Sequence, residues 1–293
     1  MNVMLLGAKG QLGSELISTL PKGIKLFTYD VKTLDISNKE QGSTVIKELK
    51  PELIINAAAY TAVDKAESER EKAYQVNVTG AKNLAELANE NSARLIHIST
   101  DFVFDGLAIS PYKEDSPTNP VSYYGETKLQ AEKAINQAIP NQHVILRTAW
   151  LYSSYGNNFV KTMLKLMQDK DELNVVSDQQ GTPTYAKKLA QVIWQCCQHR
   201  ELTGIYHWSD EGKINWYEFA IAIQEEALKR NLLSKKISIN PIPTAQYPTP
   251  ATRPGYSVLD KSKISEALGI KPNPWRENLG QMLDTLKEKQ KEK

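Results

Sequence analysis

Cysteine is nearly absent. Only Cys196 and Cys197 occur in 293 residues, and they are adjacent. Successive side chains on a helix point apart, so this pair builds no disulfide framework, and a reducing cytoplasm is expected. The four histidines are scattered, and no Cys/His spacing matches a metal cage, so no metal is expected. His97 falls mid-strand and reads as a satisfied core residue. No apolar run approaches the ~20 residues that cross a bilayer. The opening MNVMLLGAKG has neither the basic flank nor the apolar length of a signal peptide. No membrane partner is expected. An excess of one charge is missing too: 36 Lys+Arg against 34 Asp+Glu leave +2, which argues against a nucleic-acid partner.

Alternation is what the chain does have. Apolar runs at residues 2–6, 25–29, 52–56, 94–99 and 142–147 are separated by stretches with helical spacing. Leu12, Leu16, Ile17 and Leu20 share one helical face, as do Leu84, Leu87 and Ala88. Strand–helix alternation predicts an α/β fold with a doubly wound parallel sheet. Near-continuous runs such as LIIN and RLIHIS predict strands covered on both faces. After about residue 150 strands shorten and helices dominate. The expected division is residues 1–150, a cofactor-binding domain, and 151–293, mainly a smaller, mostly helical substrate-binding part, with the chain free to cross back. The Pro-rich stretch from Asn240 predicts an irregular loop wrapped over a cleft. The tail KEKQKEK predicts a frayed, solvated end.

Gly7, Gly10 and Gly13 form G-x-x-G-x-x-G directly after the first strand and open a helix that continues with Gln11 and Leu12. Gly7 allows the tight turn, Gly10 a close approach to pyrophosphate, and Gly13 close packing of helix on strand. The helix N-terminus then receives the anion. A purely structural turn is the alternative; the position after a strand and before a helix favours a dinucleotide. Asp30 ends the second strand, 20 residues after Gly10, where an acid meets the adenosine ribose. That favours NADH, while Lys32 could neutralise the extra phosphate of NADPH, so both cofactors are expected. Asp35 and Ile36 either line the adenine or, with Ser37, cap a helix. Ala57, Ala58, Ala59 and Tyr60 leave little bulk at a strand end, which suits a ligand or a tight helix–sheet contact.

Tyr124 and Lys128 stand in Y-x-x-x-K. On a helix they share one face. A nearby cation stabilises phenolate and lowers the phenol pKa, which would let Tyr124 exchange a proton with a carbonyl oxygen as hydride arrives. With GAKGQLG, AAYTAVDKAE, STDFVFDG, YGETKLQAE, RTAWLY, GNNFVKTM, DQQGTPTY and TRPGYS, the sequence resembles the extended short-chain dehydrogenase/reductase family over nearly its whole length. Within it the likeness is greatest to the dTDP-4-dehydrorhamnose reductase branch.

That resemblance implies a Rossmann-type fold and a dTDP-linked nucleotide-sugar substrate, reduced at a C4 ketone. It implies that Thr100 hydrogen-bonds the carbonyl, Tyr124 donates the proton and Lys128 orients the ribose, with Ser99 serving the cofactor through its backbone. Asp101, Phe104, Trp150, Asn157, Asn158, Phe159 and Arg253 become candidate substrate contacts. Trp150 as core filler, the Asn pair as helix caps and Arg253 as an ion pair are the alternatives. Monomer and homodimer stay open. Two competing readings remain: an epimerase or dehydratase of the same family, and a non-catalytic regulatory subunit. Related dehydratases read Thr-Asp-Glu where this chain has Thr100, Asp101 and Phe102. A Phe cannot abstract a proton, which favours the ketone reductase.

Overall fold

The computed structural model describes residues 1–291. Six strands form the main sheet: β1 (Asn2–Leu6), β2 (Lys25–Tyr29), β3 (Leu53–Asn56), β4 (Arg94–Thr100), β5 (His143–Thr148) and β6 (Gly204–His207). All pair in parallel, in the order β2-β1-β3-β4-β5-β6. The order reverses at β1, so the crevice beside its carboxyl end is where such a sheet takes a ligand.

Alternation along β1 explains why both faces are covered. Val3 and Leu5 pack with Leu12 and Leu16 of helix α1 (Gln11–Ser18) on one side. Met4 and Leu6 point the other way, toward Ile46 of α2 (Lys39–Leu49), Leu84 of α3 (Gly80–Glu90) and Ile135 of α4 (Tyr123–Ala138). Successive strand side chains face opposite sides, so an unbroken apolar run serves two cores. The expected apolar face of α1 is shorter than its spacing suggests. The helix ends at Ser18, and Ile17 and Leu20 are exposed.

The second lobe is built on α5 (Phe159–Asp169), α7 (Trp216–Lys229) and α9 (Trp275–Lys291), which share a cluster around Phe219, Ile223 and Met282. Three elements return to the first core. Helix α6 (Ala186–Gln198) sends Ile193 and Trp194 into the cluster beneath α1, and β6 extends the main sheet. Helix α8 (Ser262–Leu268) adds Ile264 to the same cluster. Both cysteines of α6 are free and buried.

Two expectations from the sequence are corrected here. The Pro-rich stretch is not wholly irregular: Ser238–Ile242 pairs in parallel with Glu172–Val176, Pro241 opposite Val175. An edge strand tolerates proline because one side donates nothing to a ladder. The tail is helical through Lys291, because Leu279, Met282, Leu283 and Leu286 anchor α9 in the second core; residues 292–293 of the expected frayed end lie outside the described residues.

Asp210 joins the two lobes. Its buried carboxylate accepts from the Tyr185 N–H at 3.1 Å and the Tyr152 hydroxyl at 3.4 Å. Burial pushes its pKa from 3.8 up to about 7. The folded chain therefore holds this proton more tightly than the unfolded one. The associated stability is complete below pH 3.8 and is lost as pH rises to about 7. We expect the melting temperature of Asp210→Asn to gain on wild type between those limits. A gap between the two proteins that does not change with pH would contradict this.

Candidate active site

The glycine loop leaves β1 and enters α1. Gly7 has φ +78°, and a Cβ there would lie 2.6 Å from the Ala57–Ala58 backbone, so only glycine permits this approach of β1 to β3. At Gly13 a Cβ would meet the Gly7 carbonyl oxygen at 2.2 Å. Gly10 precedes α1, and no side chain caps that helix start. Its first N–H groups are thus open to an anion, which fits the diphosphate of a nicotinamide dinucleotide. Gln11 bridges the lobes: its side-chain oxygen accepts from Asn158 at 2.9 Å. Leu12 is buried in the core beneath the loop.

Asp30 follows directly on β2, and its cationic partner is Lys9 of the glycine loop. Lys32 contributes its backbone N–H, at 2.9 Å from the carboxylate. Lys9 holds the Asp30 carboxyl below the usual carboxylate range. Asp35 takes the Ser37 N–H and hydroxyl at 2.9 and 2.8 Å. Neither Asp35 nor Ser37 caps α2; Asn38 does, accepting from the Gln41 N–H. Ile36 is buried against Gly80. Ala57, Ala58, Ala59 and Tyr60 are half-buried after β3. Asn77, in a π-helical turn at Gln75–Thr79, was not legible in the sequence. Its side chain pairs with both the N–H and C=O of Tyr60 and donates to Thr127 of α4, locking that strand end.

β4 and α4 bring the candidate catalytic groups together. Ser122 caps α4 through the Gly125 N–H at 3.2 Å. Gly125 is required by contact: a Cβ would stand 2.2 Å from the Phe102 carbonyl oxygen. This close approach seats Tyr124, in the first turn of α4, beside Thr100 at the end of β4. Phe102 packs edge-on against the Tyr124 ring at 5.6 Å. Asp101 is buried, accepts from Thr100 Oγ1 at 2.9 Å, and is pushed up to about 6 by burial.

The expected lowering of the Tyr124 pKa does not occur. Burial pushes it up to about 12, with Asp101 adding to the rise. Lys128 turns away from the phenol, donating to the Ile98 carbonyl at 2.6 Å and meeting His97 Nε2 at 3.1 Å. Burial pushes Lys128 down to about 8. Ser99 turns its hydroxyl from the crevice onto Glu132, 2.5 Å away, leaving its backbone at the sheet end. Glu132 in turn holds Arg147 bidentately, at 2.9 and 2.7 Å. No sequence signal marked this pair, because the two residues meet only when α4 lies on β5.

The proposed substrate contacts separate into two kinds. Phe104 is excluded: it is fully buried, stacked on Tyr112 at 4.1 Å and covered by Arg147 and His207. Phe102, two residues earlier, is the aromatic beside Tyr124. Trp150 adopts φ +46° and stacks on Trp216 at 3.5 Å, with Gly181 against its ring. Asn158 caps α5 through the Lys161 N–H and donates to Gln11 and Ser153. Asn157 is exposed, and Phe159 packs on Trp216 and Phe219. Arg253 reaches back across the cleft to Asp64, at 3.1 and 2.8 Å, and holds its own loop through Thr249 and Ala251. No group of three or more metal-ligating side chains occurs among the described residues.

The dTDP-4-dehydrorhamnose reductase of Aggregatibacter actinomycetemcomitans is 43% identical over 284 residues, covering 94% of this chain and 96% of the relative. The protein of that name from Escherichia coli K12 is 40% identical, with 98% of each chain covered. The crystal structure of the Bacillus anthracis dTDP-4-dehydrorhamnose reductase in complex with NADP superposes with a TM-score of 0.91 at 37% identity, covering 97% of this chain and 99% of that one. The family described as the RmlD substrate binding domain matches residues 1–288. The match spans both lobes and the site between them, and the chain belongs to that family.

Proposed function

We propose that this chain reduces the C4 ketone of dTDP-4-dehydro-L-rhamnose to dTDP-L-rhamnose with NADPH or NADH, and that Thr100, Tyr124 and Lys128 perform the chemistry. The buried Thr100–Tyr124 pair beside the glycine cradle carries this reading. A bound reduced nicotinamide supplies the hydride. Thr100 holds the ketone oxygen, and Tyr124 delivers the proton that converts it to a hydroxyl. A phenol pushed up to about 12 stays protonated at neutral pH, which suits a proton donor in the reducing direction. Lys128 lies one turn further along α4; turned from the Ile98 carbonyl and His97, its protonated side chain would meet the ribose and offset charge on Tyr124. Arg253 would leave Asp64 for the diphosphate, forming charge-assisted hydrogen bonds.

Phe102 weighs against the dehydratase reading, since it brings no carboxylate to the site. The intact Thr100, Tyr124 and Lys128 weigh against a non-catalytic subunit. We place the reaction in the cytoplasm and its product in surface polysaccharide. No helix among the described residues is long and apolar enough to cross a membrane.

The test supplies the substrate in situ from dTDP-glucose with a dehydratase and an epimerase. Stoichiometric loss of reduced-nicotinamide absorbance, with dTDP-L-rhamnose as product, is the expected result. Dehydration of dTDP-glucose by this protein alone would favour the dehydratase reading. Inactivity together with tight binding to another enzyme would favour the regulatory subunit.

Cofactor choice follows from Lys9. By neutralising Asp30 it lowers the repulsion that a ribose phosphate would meet. We expect Lys9→Ala to lower kcat/KM for NADPH by about tenfold, the loss of roughly one charge-assisted contact, and to affect NADH less. An unchanged ratio between the two cofactors would remove Lys9 from the selection.

A further inference from the structure

His97 lies at the centre of β4 and is buried. Its two ring nitrogens have different partners. Nδ1 meets Asn56 Nδ2 at 3.0 Å, and Nε2 meets Lys128 Nζ at 3.1 Å. The Asn56 amide is oriented by a third contact: its Oδ1 accepts from the Ala58 N–H at 3.1 Å. An amide whose oxygen is engaged by a donor presents N–H to its other partner. Nδ1 must therefore accept, and a neutral imidazole with an accepting Nδ1 carries its proton on Nε2. That N–H points at Lys128. An ammonium has no lone pair to receive it; an amine does, while still donating to the Ile98 carbonyl at 2.6 Å.

We infer that Asn56 and His97 form a one-way hydrogen-bond relay, started by the Ala58 N–H, that holds Lys128 as an amine in the cofactor-free protein. His97 is then a positioning residue that acts through Lys128. The ring is competent for this because it stays neutral: burial holds it well below the usual imidazole range. Burial of Lys128 itself acts in the same direction.

Other charges near the relay come from each element packed on it. Glu132, one turn after Lys128 on α4, favours the ammonium. Its carboxylate is neutralised by Arg147 of β5 and bonded by Ser99 of β4. His143 of β5 faces His97 and adds to its neutrality. Tyr124 and Asp101 lie on the crevice side, with the Thr100 hydroxyl donating to Asp101. Protonating Lys128 requires the ring to move its proton to Nδ1 and the Asn56 amide to turn over. The Ala58 N–H, at the strand end that meets the glycine loop, then loses its acceptor. Lys128 protonation and the polarity of that strand end are thus coupled.

The inference rests on Lys128 serving Tyr124 and the cofactor, but its test does not. In the ligand-free wild-type chain, ¹⁵N spectra of the histidine rings report the His97 tautomer. ¹³C spectra of the lysine side chains report the titration of Lys128, assigned by its absence in Lys128→Met. Above the Lys128 midpoint His97 should be the Nε2–H tautomer, and that midpoint should lie no higher than about 8. In Asn56→Asp the carboxylate accepts from both Ala58 and His97 and reverses the relay. The ring should become Nδ1–H, and the Lys128 midpoint should rise by about one pH unit or more.

An Nδ1–H ring in wild type, or a Lys128 midpoint at the ordinary value of 10.5, would overturn the relay without any variant. So would an unchanged ring and midpoint in folded Asn56→Asp. If the resonances behave as stated, the pH profile of kcat/KM for NADPH should shift with the Lys128 midpoint. A profile that stays put would retain the relay and overturn the role of Lys128 in turnover.

Discussion

Tyr124→Phe should lower kcat by about 10²–10⁴-fold, the usual contribution of a positioned proton donor. NADPH affinity should change little. The substitution deletes one oxygen and keeps the ring, so the edge contact with Phe102 at 5.6 Å persists. Thr100 retains Asp101 and the Phe102 N–H as partners, so no buried hydroxyl is stranded. The loss therefore belongs to proton delivery rather than to folding. Single-turnover reduction and a NADPH titration, read beside a thermal melt, separate the two. Near-normal turnover by a natively folded Tyr124→Phe would sink the assignment. Thr100→Val, which leaves the donor in place, should lose less.

Glu132→Leu should be the most destabilising single change near the site. Arg147 and Glu132 are 2% and 1% exposed. Removing the carboxylate leaves a buried guanidinium with the Glu114 carbonyl at 3.3 Å, a weak contact to His207 and the Phe104 ring face. Breaking such a pair costs about 3–5 kcal/mol. The pair itself need not be stabilising, because desolvating both ions offsets most of their attraction. The double variant Glu132→Leu/Arg147→Met should accordingly recover most of the lost stability. Urea unfolding of the two variants measures both statements. A single variant within about 1 kcal/mol of wild type would refute the first.

Activity should respond as well. Glu132 ties α4 to β5 one turn beyond Lys128, and Ser99 joins the same carboxylate from β4. The double variant keeps the fold but replaces directional bonds with apolar contact. Its Tyr124 should therefore be less well placed, and kcat should stay below wild type even where stability returns.

Much of this site could be read from local sequence. Gly7, Gly10 and Gly13 occupy a strand–turn–helix whose backbone needs them, and that requirement is local. Tyr124 and Lys128 lie four residues apart on one helix, so their shared face follows from helical geometry. Five of the six main-sheet strands were marked by apolar runs, which are near-continuous where both faces are covered, as in β3. The sixth, Gly204–His207, was legible as a short strand, but its place at the sheet edge was not. That place depends on α6 packing beneath α1.

The failures share one physical origin. Phe102 and Phe104 are two residues apart, yet one flanks Tyr124 and the other is sealed under Arg147 and His207. Lys9 and Asp30, Arg253 and Asp64, and Glu132 and Arg147 are pairs between distant segments, and either partner alone is an ordinary charged residue. The direction of a pKa shift belongs to this class as well. Y-x-x-x-K places a cation near a phenol, but burial and His97 decide where Lys128 points and push Tyr124 upward. By itself the sequence determined the strand–helix alternation behind the parallel sheet, the glycine turn and the shared helical face of Tyr124 and Lys128, because each rests on local spacing. Only the tertiary structure decided which charges are paired, which aromatic faces the crevice and which proton His97 carries. Those depend on burial and on partners from other strands, which no local pattern encodes.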